Sequence, residues 1–186
     1  MIAIEEAEAA TQFLLDSINR LIPQLSSSAG PMSLADLEEM IRAPGTHLLV
    51  AISDTARGWH GDELGDTERS DGKHRSGDAA SNGGADGATD DRAIVGSLTL
   101  VEFRIPTGIR AWIEDVVVDQ TVRGGGIGEL LVERAVGIAT RHGAKTIDLT
   151  SRPSRQAAHR LYTKSGFSTR ETTVYRRIEK PARRPD

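Results

Sequence analysis

The chain has 186 residues, of which 38% are hydrophobic and 27% charged, with a formal net charge of −4 and no cysteine. One globular domain of ordinary size is the first expectation, and disulfide scaffolds, thiolate metal sites and cysteine nucleophiles are excluded. No apolar run reaches the roughly 18 residues of a membrane span, no basic field points to nucleic acid, and the opening Met1-Ile2-Ala3-Ile4-Glu5-Glu6 lacks a secretory pattern. A cytosolic protein without nucleic-acid or membrane partners is expected.

Apolar residues at Ala7, Ala10, Phe13, Leu14, Ile18, Leu21 and Ile22 predict an amphipathic helix from Ala3 to Ile22, closed by Pro23. Ser33, with Asp36 and Glu38 behind it, reads as the start of a second helix carried by Leu34, Leu37, Met40 and Ile41 and ended by Ala43-Pro44-Gly45. Strand formers fill Thr46 to Ser53 and Ala93 to Phe103. Between them, residues 54 to 92 hold ten acids against five bases, a net of −5 that leaves +1 for the rest of the chain. With eight glycines and few large apolar side chains beyond Trp59 and Leu64, this stretch is expected to be a disordered acidic insertion in a surface loop.

A strand from Ala111 to Asp119 follows, then a glycine cluster and a helix from about Gly126 to His142 with Gly143 as its stop. Lys145 to Thr150 reads as a short strand, Arg155 to Ser165 as a short helix, and Phe167 to Ile178 as one or two final strands. The order predicts one α/β domain of α+β type, with helices on both faces of a mixed sheet. The five histidines show no metal-site spacing, so no metal is expected.

Arg123-Gly124-Gly125-Gly126-Ile127-Gly128 stands between a strand and the first turn of a helix. Residues without Cβ let the backbone approach a ligand, and free N–H groups at a positive helix end attract an anion. A phosphate site and a plain tight turn are both open. A P-loop is excluded, because Gly128 is followed by Glu129-Leu130 rather than Lys-Ser/Thr. The dinucleotide fingerprint also fails, its third glycine slot being filled by Glu129 or Leu131.

Arg123-x-x-Gly126-x-Gly128, directly after Val116-Val117-Val118-Asp119, resembles the acetyl-CoA loop of the GNAT superfamily of N-acetyltransferases, and Ala158-x-x-Leu161-Tyr162-x-x-x-Gly166-Phe167 is similar to that family's last helix. The resemblance runs from about Leu48 to Ile178, the insertion excepted. It implies a GNAT-like, mostly antiparallel sheet whose first strand is Met1 to Ile4. It also implies acetyl-CoA as acyl donor, held by Val116, Val117, Val118, Arg123, Gly124, Gly125, Gly126, Ile127 and Gly128. Trp112 to Val118 looks like the matching strand of small-molecule acetyltransferases such as the glucosamine-6-phosphate N-acetyltransferases, which implies a small-molecule amine as acceptor. Dimers are common in the superfamily, so a homodimer is among the states allowed. Where the family often has asparagine, seven residues before the tyrosine, this chain has Arg155.

Acetyl transfer to an amine needs a neutral nitrogen, a polarised carbonyl and a proton for the departing thiolate. Glu114 and Asp115 are adjacent carboxylates in an apolar strand, costly unless paired or used. By strand parity Glu114 shares a face with Trp112 and Val116 and is the candidate base, acting through a water; a buried carboxylate paired with an arginine is the alternative. Asp115 is read as structural or substrate-orienting. The Val118 N–H is the candidate oxyanion donor, freed by a bulge or splay. Tyr162 alone reads as core packing, but the resemblance implies that it is the acid for the thiolate. Arg152, after a strand's carboxyl end, is a candidate for orienting substrate, and His159 is read as a solvated helix residue. Two other readings stand beside this one: a non-catalytic acyl-CoA-binding module, and a protein or peptide acetyltransferase whose acidic stretch attracts basic tails.

Overall fold

The computed structural model describes residues 1–26, 28–54 and 92–178. Most of the 54–92 stretch, with Trp59 and Leu64, therefore lies outside the described residues. The chain divides into two compact units, Met1–Thr150 and Ser151–Asp186.

The first unit runs β1 (Ile2–Glu6), α1 (Gln12–Leu25), α2 (Leu34–Arg42), β2 (Thr46–Ser53), β3 (Ala93–Ile105), β4 (Gly108–Val118), a 3-10 turn (Gln120–Val122), α3 (Ile127–Arg141) and β5 (Ala144–Leu149). The strands lie in sequence order, β1-β2-β3-β4-β5. All pairs are antiparallel except β4 and β5, which run parallel with α3 as their crossover. This is the expected mixed, mostly antiparallel sheet.

Helices cover both faces. Leu14, Leu15, Ile18 and Leu21 of α1 and Leu37 of α2 form one core with Leu48, Val50, Ile52, Ile94 and Val117. On the opposite face α3 buries Ile127, Leu131, Val132, Ala135, Ile138 and Ala139. A Cβ on Gly96 would lie 3.3 Å from Leu131 Cδ1, which marks the α3 side of β3. Leu98 and Leu100 follow on that side by the two-residue period of a strand, and Ile113, paired with Leu100, shares it.

Local chemistry accounts for the element ends. Ser33 Oγ accepts from the Asp36 N–H while Asp36 accepts from the Ser33 N–H, a reciprocal cap that starts α2 where expected. The helix expected from Ala3 begins only at Gln12, because Thr11 caps it by accepting from the Leu14 N–H. The residues before it form β1, so the strand that the resemblance requires is present. Pro23 does not close α1. It sits in the last turn, where a missing N–H costs one terminal bond, and the helix runs on to Leu25.

The second unit contains α4 (Gln156–Lys164). The final strands expected in Phe167 to Ile178 are absent; those residues have no regular structure, and Val174, Tyr175 and Ile178 stand exposed. Alternating side chains made that segment resemble strands, but a strand needs a ladder partner, and none pairs with it among the described residues.

Candidate acetyl-transfer site

The end of β4 is where the sheet changes. Thr99 pairs with Glu114 and Ser97 with Val117, so Leu98 alone faces both Asp115 and Val116. This is a β-bulge. Asp115 takes the extra residue's strain with φ +51, a conformation that aspartate tolerates better than most side chains.

The bulge overturns the parity expected for this strand. Glu114 shares the α1/α2 face with Trp112, but Val116 does not: Val117 has moved onto that face and joined its core, while Val118, opposite Gly96, lies on the α3 side. The buried-carboxylate alternative for Glu114 also falls. Its side chain is exposed, and the Trp112 indole N–H donates to Oε1 at 2.7 Å, orienting the carboxylate from two residues away. Asp115 is exposed as well.

On its other edge β4 loses a neighbour, for pairing with β5 stops at Ile113 and Leu149. The Asp119 N–H donates to the Val95 carbonyl at 2.8 Å. Alternation along the ladder turns the backbone groups of Val117 toward β3 as well, and those of Val118 away, past the end of β5. The Val118 carbonyl accepts there from Arg123 Nε at 3.0 Å, which ties the glycine loop to the strand end. An N–H aimed out of a sheet in this way can pair with an added extended chain or hold developing negative charge.

The loop leads directly into α3. Gly124 and Gly126 have φ of +88 and +77, and a Cβ on either would project into open space. Gly126 is the N-cap without a side-chain capping bond, so the first N–H groups of α3 face outward at its positive end. Ile127 is buried and anchors the helix start, while Gly125 is exposed and Gly128 half-buried. Such a cradle fits a diphosphate.

A residue that the sequence did not single out holds this region in place. Asp119 is 2% exposed. Its Oδ1 accepts from the Thr121 N–H and hydroxyl, and its Oδ2 from Arg20 and Gln24 of α1. Gln24 Oε1 also accepts from the Gln120 N–H at 2.9 Å, and Arg20 donates to the Ile94 carbonyl at 2.6 Å. Burial by itself would raise the Asp119 carboxyl; the hydrogen bonds from Thr121 and Gln24 and the Arg20 charge outweigh it and hold it below the usual carboxylate range. The invisible signal was long-range, because Arg20 and Asp119 are 99 positions apart.

In the second unit Tyr162 is half-buried on α4, with its ring edge-on to Phe167 at 6.1 Å between centroids. Arg152 is exposed, and its carbonyl accepts from His159 Nε2 at 3.0 Å, so His159 closes the turn ahead of α4.

Residues 45–167 match the Acetyltransferase (GNAT) family, a span that holds both the glycine loop and the Tyr162 motif. The chain belongs to the GNAT acetyltransferase family. Acetyl-CoA is that family's acyl donor, which the cradle's geometry suits. Over 87 residues the chain is 37% identical to the uncharacterized N-acetyltransferase YhdJ of Bacillus subtilis; the match covers 46% of this chain and 59% of that relative's length. The fold is similar to glucosamine-6-phosphate N-acetyltransferase from Arabidopsis thaliana, with TM-score 0.64 and 16% identity over 96% of this chain and 99% of that one. It is also similar to an aminoglycoside N-acetyltransferase in complex with CoA, with TM-score 0.63 and 15% identity over 97% and 96%.

Proposed function

We propose that the chain is an N-acetyltransferase that transfers an acetyl group from acetyl-CoA directly to a primary amine of a small molecule. The observation that carries this reading is the Val118 N–H turned out past the end of β5, beside the uncapped start of α3. Acetyl-CoA supplies an acetyl group already activated as a thioester. The N–H groups of α3's first turn and of Gly124 to Gly126 hold the diphosphate, with the Arg123 side chain at the loop's base. The outward edge at Val116 and Val118 pairs with the amides of an extended arm, and the Val118 N–H is the donor for charge developing on the carbonyl.

Glu114 takes the amine proton through a water; its exposure and the Trp112 hydrogen bond suit a carboxylate held in one orientation yet reachable from solvent. Tyr162 is assigned the proton for the departing thiolate on the strength of the family motif, Asp115 positions the acceptor, and Arg152 orients an acidic group on it. Both structural neighbours described above are named for small-molecule amino-sugar acceptors, which supports that acceptor class.

The test is calorimetric binding of acetyl-CoA followed by thiol release with a panel of small amines. Gly125→Glu serves as the control, since Gly125 has no positive φ and a Cβ there meets only the Val122 carbonyl at 3.6 Å. Wild type should bind and the variant should bind at least about tenfold more weakly, because a carboxylate repels the diphosphate. Glu114→Gln should lower kcat by about 100-fold and Tyr162→Phe by about tenfold, each with little change in coenzyme affinity. Binding without thiol release from any amine overturns the catalytic reading and leaves the acyl-CoA-binding module.

A further inference from the structure

At the far end of α3, about 22 Å from the glycine loop for a helix of 15 residues, three side chains from three elements converge. Glu102 of β3, His47 of β2 and His142, the C-cap of α3, bring one carboxylate oxygen and two ring nitrogens within 4.8 Å of one another. Glu102 Oε2 lies 2.6 Å from His142 Nδ1 and 3.3 Å from His47 Nε2. The other Glu102 oxygen, Oε1, is buried with no hydrogen-bond partner among the described residues, on a side chain that is only 9% exposed.

We infer that these residues form a binding site for a divalent first-row transition metal such as Zn2+, with His47 Nε2, His142 Nδ1 and the Glu102 carboxylate as ligands. The donor set of two imidazoles and one carboxylate matches that chemistry. Four-coordinate ligands about 2.0–2.1 Å from zinc stand about 3.3 Å from each other, so the His47–Glu102 separation already fits. His142, 48% exposed at a helix end, needs only a small shift to fit as well.

Two further observations point the same way. His47 Nδ1 is 2.7 Å from Glu6 Oε1 of β1, the carboxylate–histidine arrangement that fixes a ligating ring's tautomer. In the tautomer that donates Nδ1–H to Glu6, Nε2 presents its lone pair toward Glu102 Oε2, the arrangement in which a ring ligates a metal. The C-terminal end of α3 adds its negative dipole to the same place. Gly45, at φ +76, lets β2 enter close to Glu102: its carbonyl accepts from the Glu102 N–H at 2.7 Å, and a Cβ there would clash with the Glu102 carbonyl.

The experiment is competition between a colorimetric chelator and the full-length protein for Zn2+ added as its chloride, with thermal melting in parallel. Wild type should hold one Zn2+ per chain and melt higher when it is added. His142→Gln and Glu102→Gln, which keep side-chain bulk, should each weaken binding by about 100-fold, and Glu6→Gln by about tenfold, while Co2+ should give the visible absorption of a low-coordinate site in wild type alone. His60, His74 and His159 remain in every variant, so binding that persists unchanged in His142→Gln comes from elsewhere and overturns the site. No Zn2+ binding by wild type also overturns it. Neither result bears on acetyl-CoA binding, so the two readings stand or fall separately.

Discussion

Asp119 and Glu102 are both carboxylates withdrawn from solvent on the same sheet, and they are finished differently. Asp119 has four donors for its two oxygens, from Arg20, Gln24 and both groups of Thr121. Glu102 sets one oxygen against two histidines and, among the described residues, has no partner for the other. A carboxylate whose acceptor capacity is filled by its own chain is architecture: it fixes where β4 ends and the glycine loop begins. One left partly unfilled still has capacity for something the described residues do not supply.

The sharpest way to break this contrast is Asp119→Ala, which should lower unfolding stability by about 3 kcal/mol by removing the carboxylate that Arg20, Gln24 and Thr121 all donate to; chemical denaturation reads it, and a loss below about 1 kcal/mol would put Asp119 on a par with an ordinary surface acid. Acid should expose the same residue. Its folded pKa lies below its unfolded one, so its contribution is complete above the unfolded value, near pH 4, and is lost as pH falls through the lowered folded value. Asp119→Asn should therefore flatten the fall of stability on the acid side. Gly45→Ala tests the other carboxylate's surroundings, and about 2 kcal/mol should be lost, with any metal-dependent stabilisation, as β2 is pushed off Glu102. Glu102→Gln should change metal-free stability by less than about 1 kcal/mol, because no donor among the described residues depends on Oε1; a loss matching that of Asp119→Ala would erase the distinction.

Most elements of the first unit were legible because their signals are local: the Ser33 cap, the Thr46 to Ser53 strand and the α3 stripe are written within a turn or two of where they act. β1 was hidden from the apolar spacing, and asked for only by the family resemblance, because five residues are too few to display a period and because Ala7 and Ala10 continued a helical spacing. The strand faces beyond Asp115 were illegible for another reason. Val116, Val117 and Val118 are the same residue three times over, so no sequence pattern says which turns inward; the backbone at Asp115 decides. The loop and the Tyr162 motif could be read as chemistry from their order, but the Arg20–Asp119 anchor and the Glu6–His47–Glu102–His142 cluster bring together positions from 40 to 99 apart, and only the folded sheet places them side by side.

The family match begins at residue 45, yet Arg20 and Gln24 lie before it and grip the strand end that leads into the loop. The recognisable module and the minimal folding unit are thus not the same piece of chain. An excised fragment from 45 onward would forfeit β1, leave β2 an open edge, and bare the inner faces of Leu48, Val50, Ile52, Ile94 and Val117 that α1 and α2 now cover. The first 44 residues are a structural part of the folded unit, and any minimised or transplanted version of this domain has to bring them along.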